Sequence, residues 1–121
     1  MSAAASAYRG RLAPTPTGLL HLGHARTFCI AARRAAIAHG ALILRSEDLD
    51  VARCKNEYSE AMLEDLRWLG LTWSEGPDVG GSFGPYRQSE RASYYLDIWK
   101  QLHATGSIYP SPHSRRDVQH S

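Results

Sequence analysis

The residues from Tyr8 to Gly40 change backbone character twice, and this narrows the folds open to the chain. Tyr8 to Ala13 is a short run that reads as a strand. Pro14 and Pro16 then break any regular ladder, because each lacks an N–H and fixes φ. Gly18 allows a sharp turn. From His21 to His39 the pattern is helical and dense in alanine, with no Gly or Pro between Gly23 and Gly40. Gly40 reads as the helix stop. Ala41-Leu-Ile-Leu-Arg45 is an almost continuous apolar run, as expected of a strand buried on both faces of a parallel sheet. The order strand, helix, strand is a βαβ unit with a right-handed crossover.

A helix N-terminus carries unpaired N–H groups and the positive end of a dipole, which suits a phosphate. His21 and His24 are three apart and share one face of the first turn. Gly23 between them lets a flat base approach the backbone. By spacing alone, the pair equally reads as two surface histidines at a helix cap. Beyond the second strand lies Ser46-Glu-Asp-Leu-Asp50, where open α/β sheets bind ligands. Glu47 is placed there to meet an ammonium group. Asp48 and Asp50 read as loop acids that cap and solvate, and a metal cluster has weak support from three acids in one loop.

With 121 residues the chain is one small domain, and 43% hydrophobic with 21% charged residues fits a globular protein. A net charge of +2 permits a nucleic-acid partner without demanding one. Cys29 reads as a small buried residue of the first helix, and Cys54 lies among charges. Neither suits a disulfide framework or a metal site. Residues 1–7 read as a flexible N-terminus without the apolar core of a signal peptide. No run is long enough to cross a membrane, so the expected location is the cytoplasm.

Further along, a second helix is predicted from Glu57 to Leu69. Asn56 is its N-cap, Gly70 its stop, and Tyr58, Met62, Leu66 and Leu69 its apolar stripe. Leu71-Thr-Trp73 is a short extended piece. Residues 75–85 hold Gly76, Pro77, Gly80, Gly81, Gly84 and Pro85 and must be a loop, either closing over a site or a plain connection. Ser89 opens a third helix to Thr105, stopped by Gly106, with Ala92, Tyr95, Leu96, Trp99 and Leu102 as a buried stripe. Ser107-Ile-Tyr109 is a third strand. Residues 110–121 form a tail without apolar periodicity.

Ala13-Pro-Thr-Pro-Thr-Gly-Leu-Leu-His-Leu-Gly-His24 closely resembles the nucleotide-binding signature of class I aminoacyl-tRNA synthetases, in the form used by the glutamate branch. The resemblance continues through Leu44-Arg-Ser-Glu-Asp-Leu-Asp50, Leu66-Arg-Trp-Leu-Gly-Leu-Thr-Trp73 and Tyr86-Arg-Gln-Ser-Glu-Arg91, in the right order over nearly the whole chain. It implies an α/β fold, the first half of a Rossmann-type parallel sheet with flanking helices, over residues 8–109, with 110–121 the start of a further insertion. It implies activation of glutamate with ATP and Mg2+, followed by transfer to tRNA. His21 and His24 would hold the phosphates as charge develops. Pro14, Thr15, Gly18 and Gly23 would complete the ATP site, with Gly23 under the adenine. Arg11 to Thr15 (Arg11, Leu12, Ala13, Pro14 and Thr15) match the amino-acid-binding segment, with Arg11 as a fork for a carboxylate. Glu47 matches the acid for the substrate's amino group.

Two branches compete, glutamyl-tRNA synthetases and the queuosine-modifying enzymes that glutamylate tRNA(Asp). Glu47-Asp-Leu-Asp50, Ala52-Arg-Cys-Lys55 and Glu75-Gly-Pro-Asp-Val-Gly-Gly81 resemble the second more, which favours tRNA(Asp) over tRNA(Glu). There are departures. Ser46 stands where an apolar residue is usual. Ser111 and His113 stand near the positions where several members carry zinc cysteines, so no zinc is expected. No lysine follows Lys100, although the family also uses a lysine-bearing loop from the second half of its fold. The chain thus resembles an N-terminal fragment, inactive by itself. A non-catalytic remnant that binds a nucleotide or a protein is a reading of another class. A nucleotidyltransferase of another family explains Arg11, Glu47 and Tyr86–Arg91 less well.

Overall fold

The computed structural model describes residues 8–114 together with 116 and 117. Strand β1 (Arg9–Leu12) runs parallel to β2 (Ala41–Leu44), with Arg9 opposite Ala41 and Leu12 opposite Leu44. Helix α1 (Leu22–Ile37) is the crossover between them. Along β1, Gly10 and Leu12 are buried while Arg9 and Arg11 are exposed. In β2, Leu42 and Leu44 are buried, and Ala41 and Ile43 only half so. The strand expected to be buried on both faces therefore has one fully covered face. Leu12, Leu42 and Leu44 on that face meet Phe28 and Ala35 of α1 and Met62, Leu66 and Leu71 beyond. Sequestering such side chains stabilises the unit by about 1.5–3 kcal/mol each.

Helix α2 (Asn56–Trp68) begins one residue earlier than predicted. Lys55 occupies the cap without a side-chain hydrogen bond, so Asn56 is the first helical residue rather than the cap. Gly70 ends the helix at φ +77, the left-handed geometry expected of a stop. Met62 and Leu66 are buried as expected, Ser59 joins them, and Tyr58 and Leu69 are half-buried.

The other edge of β2 is taken by a split third segment. Ser74 N–H donates to Leu42 O (2.9 Å) and Leu44 N–H to Glu75 O (2.8 Å). After a loop the chain returns, with Ser46 N–H donating to Tyr86 O (2.9 Å) and Gln88 N–H to Ser46 O (3.0 Å). Both bridges, Ile43 with Glu75 and Ser46 with Arg87, are parallel. The extended piece predicted at Leu71–Trp73 thus makes its ladder contacts further on, at Ser74 and Glu75. The third strand expected at Ser107–Tyr109 does not form, since those residues are irregular.

The intervening loop is tied down. Arg9 Nη2 pairs with Glu75 Oε1 at 2.6 Å, the Tyr86 hydroxyl also donates to Glu75, and Phe83 N–H donates to Tyr86 Oη at 3.1 Å. Asp78 accepts from Trp73 Nε1 at 2.8 Å and pairs with Arg67. A Cβ on Gly81 (φ +145) would sit 2.4 Å from Tyr86 Oη, so this loop requires glycine there. The Tyr86 hydrogen bond, ahead of Arg9, holds the Glu75 carboxyl below the usual range, and burial ahead of that bond pushes the Tyr86 hydroxyl up. Gly81→Ala should therefore unfold at lower urea, losing about 1–3 kcal/mol, the usual cost of forcing atoms into occupied space. An unchanged midpoint would show that the loop rearranges freely.

The described residues from Ala92 onward form a second compact unit. Helix α3 (Ala92–Ala104) follows a 3-10 turn at Gln88–Arg91, so the helix predicted from Ser89 has a tighter entry. Gly106 (φ +69) ends it, with Ser107 N–H donating to Leu102 O at 2.9 Å. The predicted stripe is exposed, from 36% at Tyr95 to 52% at Trp99. An amphipathic stripe identifies a face that needs cover without supplying the cover. Cys29, expected to be buried, is also exposed. No helix among the described residues is long and apolar enough to cross a membrane.

Candidate functional site

Beyond β1 the chain is held rigidly. Pro14 and Pro16 are buried, and their carbonyls accept from Glu47 N–H (3.0 Å) and Lys55 N–H (3.3 Å). Arg45 N–H donates to Leu12 O at 2.8 Å. These bonds carry the parallel pairing past both strands and bring the proline loop beside the acidic loop. That is the carboxyl end of the sheet, where a ligand can approach.

At the start of α1 the two histidines cap each other. His21 is the N-cap, and its Nδ1 accepts from Gly23 N–H at 3.1 Å. His24 Nδ1 accepts from His21 N–H at 3.2 Å. This is the reciprocal logic of a capping box, built from imidazoles. It assigns the tautomers, because an Nδ1 that accepts carries no proton, and Nε2 is then the nitrogen left to donate. The rings lie 3.8 Å apart, and His24 stacks on Phe28 at 5.8 Å. Gly23 has a local reason to be glycine, since a Cβ there would approach the His21 ring to 3.0 Å.

Both rings line a cleft of about 410 Å³. Of the predicted residues, Ala13, Pro14, Thr15 and Gly18 line it with them. Thr17, Leu19, Leu20 and Phe28 also line it and were not foreseen. Phe28 was legible only as the position one turn after His24. Gly18 has open space where a Cβ would point, so its absent side chain leaves room in the cleft. Gly23 is in the capping box rather than the lining. Leu12 is fully buried in the core, which leaves only its backbone for any ligand. A larger groove of about 570 Å³ runs between α1 and residues 70–74, lined mostly by small and apolar side chains with Arg33 as its one charge. It lacks the convergent polar groups that the smaller cleft gathers around His21 and His24.

Arg11 is exposed on the uncovered face of β1 and has no ion pair among the described residues. Glu47 pairs with Arg45. Asp48 is buried and accepts from Ser89 N–H (2.9 Å) and Oγ–H (2.7 Å), and Asp50 pairs with Arg53 at 2.6 Å. Asp50 is thus occupied locally, while Asp48, expected to be a solvated loop acid, is buried and caps the distant turn at Ser89. Arg53 holds the Asp50 carboxyl below its usual range. Burial, with the charges of Asp48 and Asp50 behind it, raises the Cys54 thiol. The Ser46 hydroxyl is fully buried and has no hydrogen-bond partner among the described residues. Among the described residues, no three His, Cys, Asp or Glu side chains converge to hold a metal ion.

The pH response of the cap has a definite sign. Burial, then the charge of His21, lowers the His24 pKa from its ordinary 6.5. The unfolded chain therefore binds more protons, and this contribution is present above the unfolded pKa and lost as pH falls through it. Urea unfolding at about pH 7.5 and about pH 5.5 should show wild type losing more stability than His24→Gln. Equal losses would place the pH sensitivity elsewhere.

Residues 7–119 match the family described as tRNA synthetases class I (E and Q), catalytic domain. The chain is 55% identical over 109 residues to a glutamyl-Q tRNA(Asp) synthetase of Symbiobacterium thermophilum, covering 90% of this chain and 34% of that protein. It is 48% identical over 101 residues to a glutamate–tRNA ligase of Sulfurihydrogenibium, covering 84% and 21%. A crystal structure of a glutamate tRNA ligase from Elizabethkingia meningosepticum, in complex with its amino acid, superposes with a TM-score of 0.77 at 40% identity, over 82% of this chain and 20% of that one. The chain thus spans between a fifth and about a third of these relatives. The mixed α/β architecture, with its parallel strands and flanking helices, matches their Rossmann-like fold. The chain belongs to the class I tRNA synthetases of the E and Q type and covers part of their catalytic domain.

Proposed function

We propose that the protein of which these residues form the nucleotide end activates glutamate with ATP and transfers it to tRNA. The observation that carries this reading is the two-histidine capping box on a cleft at the carboxyl end of parallel strands. The carboxylate of glutamate attacks the α-phosphate, giving glutamyl-adenylate and pyrophosphate. The glutamyl group then passes to tRNA and AMP leaves. His21 and His24 donate from Nε2 to phosphate oxygens as charge moves toward pyrophosphate, a contribution that grows in the transition state. Pro14, Thr15 and Gly18 shape the cleft for ATP, and Gly23 keeps the cap and the adenine side open. Arg11 and Glu47 take the carboxylate and ammonium of glutamate, with Ala13, Pro14, Thr15 and the Leu12 backbone beside them. Magnesium would accompany the ATP and supply charge neutralisation for the triphosphate.

For the acceptor we favour queuosine in tRNA(Asp). Glu47–Asp50, Arg53–Lys55 and Glu75–Gly81 support this choice, as does the Symbiobacterium relative. Glutamate–tRNA ligases match at only slightly lower identity, which keeps tRNA(Glu) as the second reading. The test is pyrophosphate exchange by a protein carrying the whole catalytic domain, with glutamate, with and without tRNA. Charging of tRNA(Asp) with and without queuosine follows. Exchange without tRNA and queuosine-dependent charging are expected. Strict tRNA dependence with charging of tRNA(Glu) returns the assignment to the second reading.

A further inference from the structure

We infer that Arg45 is the positioning residue of Glu47, anchoring one carboxylate oxygen so that the other stays available to a ligand's ammonium group. The inference rests on the glutamate reading and adds a residue to it.

Parallel partners present their side chains to the same sheet face, and Arg11 is opposite Ile43. Two-residue periodicity from Ile43 puts Arg45 and Glu47 on that face too, and the burial pattern agrees: Leu42, Leu44 and Ser46 are buried, while Ile43, Arg45 and Glu47 are half-buried. This uncovered face carries three arginines, and their partners differ. Arg9 is held by Glu75, Arg45 is held by Glu47, and Arg11 has no ion pair among the described residues.

The Arg45–Glu47 contact is one-sided. Both Nε and Nη2 of Arg45 reach Glu47 Oε1, and Oε2 has no partner among the described residues. A guanidinium fork normally spans both oxygens of a carboxylate. Here it uses one, and the other keeps its lone pairs for a further donor. The Glu47 backbone is fixed independently, through its N–H to Pro14 O at 3.0 Å. Backbone and side chain are both constrained before any ligand arrives, and the ordering cost of binding falls accordingly.

Charge balance points to the same ligand. Arg45 and Glu47 sum to zero, which leaves Arg11 as the net positive charge of the face. A free amino acid with an acidic side chain carries two carboxylates and one ammonium, net −1, and neutralises it. A neutral amino acid leaves one cation unmatched.

The test uses a protein carrying the whole catalytic domain and proton–nitrogen NMR. L-glutamate and glutarate, which has both carboxylates but no ammonium, are titrated into wild type, Arg45→Gln and Arg45→Lys. In wild type, glutamate should bind more tightly than glutarate. Arg45→Gln should weaken glutamate roughly tenfold, as for loss of one charge-assisted contact, while glutarate changes less than about twofold. Arg45→Lys should fall between them, because an ammonium supplies charge without the fork. The Arg45 Nε–H resonance should lose its exchange protection in Glu47→Gln, a readout independent of any ligand. If wild type and Arg45→Gln bind glutamate equally, the inference fails and the glutamate reading stands. If wild type binds neither ligand while the Arg45 Nε–H is protected by Glu47, the glutamate reading fails and takes the inference with it. An Arg45 Nε–H that ignores Glu47→Gln overturns the inference directly.

Discussion

Purified as 121 residues, the chain should show no glutamate-dependent exchange of pyrophosphate into ATP above background. Adenylate formation moves negative charge onto a leaving pyrophosphate, and only groups that meet this charge in the transition state accelerate it. The cleft offers two imidazoles, both neutral while they cap the helix, and no lysine or arginine lines it. The lysines, Lys55 and Lys100, lie outside it. Losing even one well-placed donor to a developing oxyanion costs about 10²–10³ in rate. Lacking every cationic side chain at the triphosphate should leave nothing measurable. The matched segment is 34% of one relative and 21% of another, and such longer proteins supply the comparison: the same assay on a protein carrying the whole catalytic domain should give clear exchange. Clear turnover by the short chain would mean that the two histidines and Arg11 suffice, and would overturn these roles.

The strand–turn–helix was legible because its signals are local. Prolines, a capping residue and an uninterrupted alanine-rich run act over a few residues, and α1 lies inside the predicted bounds. The cleft was legible to the same depth: His21, His24, Pro14 and Thr15 line it together because they are neighbours in the chain. What was missed depends on residues far apart. The edge of β2 is filled by Ser74–Glu75 and Tyr86–Gln88 through backbone hydrogen bonds, which leave no side-chain pattern to read. Ser107–Tyr109 looked like a short strand, yet those residues are irregular. The mutual cap of His21 and His24 needed both ring orientations. The partial hold of Arg45 on Glu47 needed the position of individual oxygens. In α3 the periodicity was read correctly as an apolar face, and its burial was not a property of periodicity at all.

Gly40→Ala should cost about 3 kcal/mol of unfolding free energy, the upper end of overpacking penalties, for a reason different from the one first read. A C-terminal stop is glycine because it adopts a left-handed conformation, and in this chain that conformation belongs to His39, at φ +49. Gly40 is not left-handed. It is glycine because β1 passes against it, and an added Cβ would lie 2.2 Å from Tyr8 O and 2.9 Å from Tyr8 C. Backbone atoms cannot rotate away as the end of a side chain can. Tyr8 O also accepts the first inter-strand bond, from Ala41 N–H at 2.9 Å, so pushing it aside strains the pairing that sets the register. That register in turn puts Pro14 beside Glu47, so a shift at residue 40 reaches the ligand end of the sheet. The control is His39→Gly, which relieves a left-handed non-glycine residue. It should be neutral or stabilising by up to about 1 kcal/mol, offset by the extra freedom of glycine when unfolded. Urea unfolding of both variants separates the two explanations. A harmless Gly40→Ala alongside a costly His39→Gly would mean that the strand does not approach the helix end this closely. The opposite pair of results is expected, with the Glu47 amide resonance displaced in Gly40→Ala and unmoved in His39→Gly.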